Sequence, residues 1–273
     1  MHELSLYGAV PAEDHVQILQ QLAGVTRMQP QHVEEIHLVF KARTPPGLEK
    51  VHGSGGSQGN QQQQNEIQRL KGMLQSGIYF VQLVGTIVAS QTPAELQNGQ
   101  LFDTERNELV EDRTQQKVNW RFEFKDTPES TKQPTNTRLI SRTRFEDGEM
   151  IAFMDLFGFE YVNRYYIEGQ KFYNQDTTIF VHRVRQLPTA DNIRDTSDIA
   201  KIPPRSELQL LDPSEGFVLQ ATIDIVDGNV QELKDRAVRQ LLALKETLKQ
   251  AVTLAPADRL ALDTRIPIPV RRI

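Results

Sequence analysis

Val118-Asn119-Trp120-Arg121-Phe122-Glu123-Phe124-Lys125 alternates strictly between apolar and polar residues. Successive side chains of an extended chain point to opposite faces, so Val118, Trp120, Phe122 and Phe124 share one face and Asn119, Arg121, Glu123 and Lys125 the other. This is a strand with one apolar and one charged side. Its neighbours in the sequence read the same way. Ile78–Ala89 and Thr137–Glu146 are strand-like, Leu4, Leu6 and Gly8 alternate over about residues 3–10, and Ile36, Leu38 and Phe40 alternate before Pro45-Pro46-Gly47. Phe159–Tyr173 and Thr177–Gln186 are joined by Asn174-Gln175-Asp176, a good hairpin turn, and Phe217–Val226 follows.

Helices flank these strands. Pro11 opens a short N-terminal helix with Val16, Ile18, Leu19, Leu22 and Val25 as its apolar positions, and Met150–Phe157 forms another that ends at Gly158. The long helix Asn229–Leu254 carries Val230, Leu233, Ala237, Leu241, Leu244 and Leu248 on one stripe. The fold class is therefore α+β: a large antiparallel sheet, closed or nearly closed into a β-barrel, with a short N-terminal and a long C-terminal helix. Residues 1–273 are expected to form a single β-barrel-like domain. Flexible insertions are expected at about 44–65, 91–112 and 187–216, because 53–65 is an uncharged Gly/Ser/Gln tract, 91–112 is acid-rich and 187–216 is rich in Pro.

Composition narrows the function. Lys plus Arg total 31 against 36 Asp plus Glu, a net charge of −5, which argues against a dedicated nucleic-acid binder. There is no cysteine, so thiolate chemistry, disulfides and cysteine-ligated metals are excluded. The apolar run Ile78–Ala89 is too short to span a bilayer, and Met1-His2-Glu3-Leu4 shows no secretory leader. The six histidines never form a His-x₃-His pair, and each reads as a surface or turn residue. Gly55-Gly56-Ser57-Gln58-Gly59 has the spacing of a nucleophile elbow, but it sits in low-complexity sequence with no strand or helix to hold it.

Two concentrations of side chains are candidate sites. Arg121 and Lys125 project from one strand, and Arg138, Ile140, Arg142 and Arg144 share a face of the next. A solvated or partner-facing basic surface is the favoured reading, with an RNA-binding face as a weaker one. The alternative is a tunnel for polyphosphate, as in the triphosphate-tunnel hydrolases. Those need a Glu-x-Glu-x-Lys strand for their metal, and here Arg121-Phe122-Glu123-Phe124-Lys125 puts an arginine in the first glutamate's place. The second concentration is aromatic: Tyr161 and Tyr165 fall on one face of Phe159–Tyr173, with Tyr166 and Phe172 on the other. Together with the helix stripe, these give Leu19, Leu22, Tyr161, Tyr165, Tyr166, Arg138 and Arg142 as candidate partner contacts, with a groove between the N-terminal helix and the sheet for an amphipathic partner helix.

Several blocks together resemble a known family. His2-Glu3-Leu4-Ser5-Leu6-Tyr7-Gly8-Ala9-Val10 running into Leu19-Gln20-Gln21-Leu22-Ala23-Gly24 is similar to the start of the Mediator complex subunit 18 family. Phe153-Met154-Asp155-Leu156-Phe157-Gly158-Phe159-Glu160-Tyr161, then Tyr166-Ile167-Glu168-Gly169-Gln170-Lys171-Phe172, resembles its second block, and the helix from Val230 and Leu262-Asp263-Thr264-Arg265 complete the pattern. Phe157 stands where Leu is expected. The resemblance implies a β-barrel with helices, a nuclear location and a non-catalytic place in the head module of the transcriptional coactivator. It implies pairing with Mediator subunit 20, tethering by the C-terminal helix of Mediator subunit 8, and indirect connection to RNA polymerase II. No cofactor, small-molecule substrate, membrane or sequence-specific nucleic acid is expected.

Overall fold

The computed structural model of the chain describes residues 1–43, 79–87, 118–130, 133–145, 149–186, 199–202 and 204–266. The strands are β1 (His2–Val10), β2 (Gln31–Ala42), β3 (Phe80–Ile87), β4 (Val118–Lys125), β5 (Asn136–Arg144), β6 (Phe159–Asn174), β7 (Thr177–Gln186), β8 (Gln209–Leu210) and β9 (Phe217–Ile225). The helices are α1 (His15–Thr26), α2 (Met150–Leu156) and α3 (Gln231–Leu248). The strands run in the order β6-β2-β3-β4-β5-β1-β9-β7, and β6 pairs again with β7, which closes the sheet. Every pairing is antiparallel, so this is a closed eight-stranded barrel, with β8 added to the end of β7 at Arg185 and Leu210.

The two faces of β4 show how the barrel is turned. Val118, Trp120, Phe122 and Phe124 point outward onto an apolar cluster with Ile36, Leu38, Phe40, Leu83, Met154 and Tyr166. Arg121, Glu123 and Lys125 therefore point inward. The barrel has a charged interior and apolar outer walls, which helices and returning chain must cover. On the other wall, Leu4, Leu6, Leu219, Ala221, Ile223, Ile179 and Val181 pack under Ile18, Leu19 and Leu22 of α1 and Ala237, Leu241, Leu244 and Leu248 of α3. Burying a side chain of leucine size is worth about 1.5–3 kcal/mol, so these two outer layers, not the interior, supply most of the stability.

The chain after α3 crosses β1 at Gly8. Tyr7 N donates to Ala255 O and Ala255 N to Tyr7 O, both at 2.8 Å. A Cβ on Gly8 would lie 2.5 Å from Val252 Cγ1, so only glycine admits this crossing. Farther on, Phe80 N donates to Thr264 O at 2.8 Å and ties the tail to the start of β3.

Two expectations need correction. A register shift in the β2–β6 pairing takes Val39 opposite Asn163 but Phe40 opposite Tyr161, and so skips Val162. This bulge separates Tyr161 from Tyr165: Tyr161 lies edge-on to Phe40 outside, whereas Tyr165 stacks on His37 inside, 4.7 Å between ring centres. The region expected as a loop at 187–216 contains Ile199 and Leu208, both buried in the outer cluster, a 3₁₀ turn at Arg205–Glu207, and β8. Isolated apolar residues among prolines gave no periodicity to announce this. The expected insertions at 44–65 and 91–112, and 187–198 of the third, lie outside the described residues.

The charged interior and the exposed helix face

Inside the barrel, alternation on six strands brings charges of both signs together. Glu3 on β1 accepts from Arg138 Nε at 2.8 Å and Nη2 at 2.6 Å, and from Arg142 Nη2 at 3.1 Å. Glu123 on β4 lies 2.6 Å from Lys125 Nζ, 2.7 Å from Arg142 Nε and 3.7 Å from Arg121 Nε. Glu35 on β2 lies 3.0 Å from Lys171 Nζ, 3.3 Å from Arg121 Nη2 and 3.3 Å from His37 Nε2. Asp224 on β9 pairs with Arg142. Arg142 is thus shared by three carboxylates.

Burial alone would push these carboxyls up, because a low-dielectric site disfavours charge. For Glu123 the opposing cations Lys125, Arg142 and Arg121 win, and for Glu3 Arg138, Lys125 and Arg142 win; both stay well below the ordinary range. Glu35 is lowered too: His37, Lys171 and Arg121 overcome its burial. Asp224 goes the other way, since its burial outweighs Arg142, with Glu3 and Glu123 adding repulsion.

This arrangement corrects the basic-surface reading. Arg138 and Arg142 face the barrel interior, Arg138 buried and Arg142 partly open to water. Each cation of the network already faces a carboxylate, so a polyphosphate entering here would have to displace protein carboxylates of its own sign. Glu123 is enclosed by three cations, and among the described residues no group of three or more His, Asp or Glu is placed to hold a metal ion.

The candidate contacts scatter. Leu19 and Leu22 lie in the core under α1, with Leu22 fully buried. Tyr166 is buried in the second cluster, Tyr165 donates to Gln82 Oε1 inside the barrel at 3.3 Å, and only Tyr161 of the seven sits half-buried on the outer wall. The expected groove between the N-terminal helix and the sheet is filled by the chain's own packing, with α3 completing the layer. None of the seven is an open apolar anchor.

The open apolar surface is on α2. This seven-residue helix buries Met154, with Met150 and Ile151 packed nearby, so its other side faces out. Leu156 is 83 % exposed, Phe157 63 % and Phe153 40 %, and the two phenylalanine rings lean together at 4.3 Å. Gly158, at φ 78°, ends the helix, and its carbonyl accepts from Arg43 N at 2.8 Å. A large exposed apolar patch on a soluble domain marks a contact surface. The sequence hid this surface: Met150, Phe153, Met154 and Phe157 are spaced as one apolar face, and only Leu156 falls clearly off it.

Comparison with known proteins agrees with this architecture. The Med18 protein family model matches residues 2–265. Mediator of RNA polymerase II transcription subunit 18 from Aspergillus fumigatus is 40 % identical over 97 % of this chain and 99 % of its own length. The Coccidioides immitis protein of the same name is also 40 % identical, over 97 % of this chain and 100 % of its own. A chain in the structure of the Schizosaccharomyces pombe Mediator head module superposes with a TM-score of 0.60 at 16 % identity, covering 94 % of this chain and 99 % of that one. With a family model matched across nearly its whole length and relatives of this closeness, the chain belongs to the Med18 family, Mediator of RNA polymerase II transcription subunit 18.

Proposed function

We propose that this protein is a non-catalytic structural subunit of the Mediator head module that holds other Mediator subunits and so helps to bridge regulators to RNA polymerase II. Its family membership supports the place in transcription, and a nuclear location follows from that role. The partners are Mediator subunit 20 and the C-terminal helix of Mediator subunit 8. The single observation that carries the interaction reading is the exposure of Leu156 and Phe157 at the end of α2, with Phe153, which leans on Phe145, half open beside them among the described residues. The neutralised interior supports the non-catalytic part, since Glu123 lacks the second glutamate that metal-dependent phosphate hydrolysis requires on that strand.

The test is co-purification of tagged full-length protein with the two subunits. Leu156→Ser combined with Phe157→Ser is expected to reduce retention of at least one of them by about ten-fold or more, because large apolar anchors dominate interface energies. Melting temperature should hold or rise slightly, as neither side chain is buried. Undiminished retention of both subunits would move the interface elsewhere. Metal-dependent turnover of a nucleoside triphosphate abolished by Glu123→Gln would overturn the non-catalytic reading.

A further inference from the structure

A second ionic cluster lies outside the barrel, between the two apolar walls. Glu168 on β6 is buried, and three arginines converge on it. Arg183 Nε donates to Oε1 at 2.6 Å, Arg185 Nε lies 2.8 Å from the same oxygen, and Arg205 Nη2 from the 3₁₀ turn donates to Oε2 at 3.0 Å. Arg164, on the same face of β6, spends Nη1 on the carbonyls of Ile199 and Lys201 at 3.0 and 3.2 Å. Glu34 from β2 also lines this cleft. Among the described residues three arginines thus converge on the single carboxylate of Glu168, on a chain whose net charge is −5.

One carboxylate cannot satisfy these donors. A carboxylate accepts at roughly four lone-pair positions, while three guanidinium groups offer roughly fifteen N–H bonds. The shortfall is visible: Arg205 Nη1 is buried and has no hydrogen-bond partner. It borders a cleft of about 10 Å³ between Glu34, Glu168, Arg185 and Leu208. The cluster is not sealed, since the side chains of Arg183, Arg185 and Arg205 keep 21, 14 and 28 % of their exposure. Planar guanidinium forks held in place by a buried counter-ion are preorganised for further carboxylates.

We propose that this arginine cluster is a docking site for an acidic segment of a partner protein, whose Asp or Glu side chains add to the coordination that Glu168 begins. Glu168 positions the arginines and competes with the ligand. The site is separate from the α2 face, so the two can fail independently.

The experiment measures fluorescence anisotropy of a labelled octaglutamate peptide with the full chain at low and at moderate salt, with an oligothymidylate of equal charge beside it. Octaglutamate should bind and weaken with salt. Arg205→Gln should weaken it about ten-fold in the folded fraction, the usual scale for one charge-assisted pair, whatever it costs in melting temperature. Glu168→Gln should tighten it, because a competing negative charge is gone. If that variant does not fold, Arg183→Gln supplies the second reading and should weaken binding as Arg205→Gln does. Leu156→Ser with Phe157→Ser should leave it unchanged. Failure of octaglutamate to bind at low salt, or binding indifferent to Arg205 and Arg183, would show that the cluster only braces the fold and sink the proposal. Tighter binding of oligothymidylate would overturn it in favour of nucleic acid.

Discussion

Replacing Arg142 by Ala tests whether the barrel interior is held by its ion pairs. The guanidinium lies 2.7 Å from Glu123 and 3.1 Å from Glu3, and also pairs with Asp224. After its removal Glu3 keeps Arg138 at 2.6 Å and Glu123 keeps Lys125 at 2.6 Å. Asp224 faces only Glu3 and Glu123, both of which repel it. Removing one partner of a buried pair costs about 3–5 kcal/mol, because an uncompensated charge stays behind. Arg142 retains 29 % of its side-chain exposure, so water screens part of the loss and the lower end, about 3 kcal/mol, applies. The protein has one tryptophan, Trp120, packed on the outer wall beside this network, so urea unfolding can be followed by its fluorescence. With a urea dependence of about 2–3 kcal/mol per molar, the midpoint should fall by about 1 M at pH 7. Adding Asp224→Asn should restore part of the loss. The difference between variant and wild type should shrink below about pH 4.5. There the wild type loses stability because its folded carboxyls, Glu3 and Glu123, are held below their unfolded value, whereas the variant has less of that stability to lose. A loss under about 1 kcal/mol at pH 7, the size of an exposed pair, would refute the reasoning. So would a difference that does not change on acidification.

Two further outcomes follow from the walls of the barrel. Leu22→Ala should destabilise by about 2–5 kcal/mol and lower the thermal midpoint without selectively weakening partner capture, since Leu22 is fully buried beneath α1; a loss of capture at unchanged stability would reinstate it as a contact. His182 is buried against Phe180, and burial lowers its imidazole to about 4, against 6.5 when exposed. The native state therefore favours the neutral ring: this stability is complete above about pH 6.5 and is lost as pH falls from 6.5 to 4, at most about 3 kcal/mol. His182→Phe should flatten the pH dependence of urea unfolding in that window, and a slope that survives the substitution would assign it to other groups.

The strands were legible because period-two alternation needs no tertiary knowledge. The eight barrel strands fall where Leu4–Leu6, Ile36–Phe40, Val118–Lys125 and their neighbours alternate or run apolar, and the α3 stripe through Leu241 and Leu244 is the buried one. Alternation says that a strand has two faces but not which one is inside. A charged interior and a charged exterior leave the same trace in β4, and only the closure of β6 on β7 decides between them. The partners of Glu3 were hidden for a related reason: Arg138 is 135 positions away, brought alongside by the β1–β5 ladder. The bulge at Val39 and Phe40 was invisible too, since one skipped residue leaves no mark on composition. Two tyrosines four apart then end on opposite sides of the wall.

The polarity of the barrel also bears on where partners bind. A barrel with an apolar interior can leave a polar outside to water. This one places Glu3, Glu35, Glu123, Arg138 and Arg142 within, so both apolar walls must be covered from outside. The wall under α1 and α3 is covered by two helices and the returning segment at Val252 and Leu254. Among the described residues the other has the seven residues of α2 and short pieces around Ile199 and Leu208. A two-turn helix can cover little of such a wall with one stripe, and Phe153, Leu156 and Phe157 stay exposed there beside the Arg43–Asp155 ion pair. Placing phenylalanine and leucine there costs solubility and gains nothing in the isolated chain, because neither Leu156 nor Phe157 packs on the core. A second layer supplied by another protein would use them, and its contact would continue the cover that α2 begins.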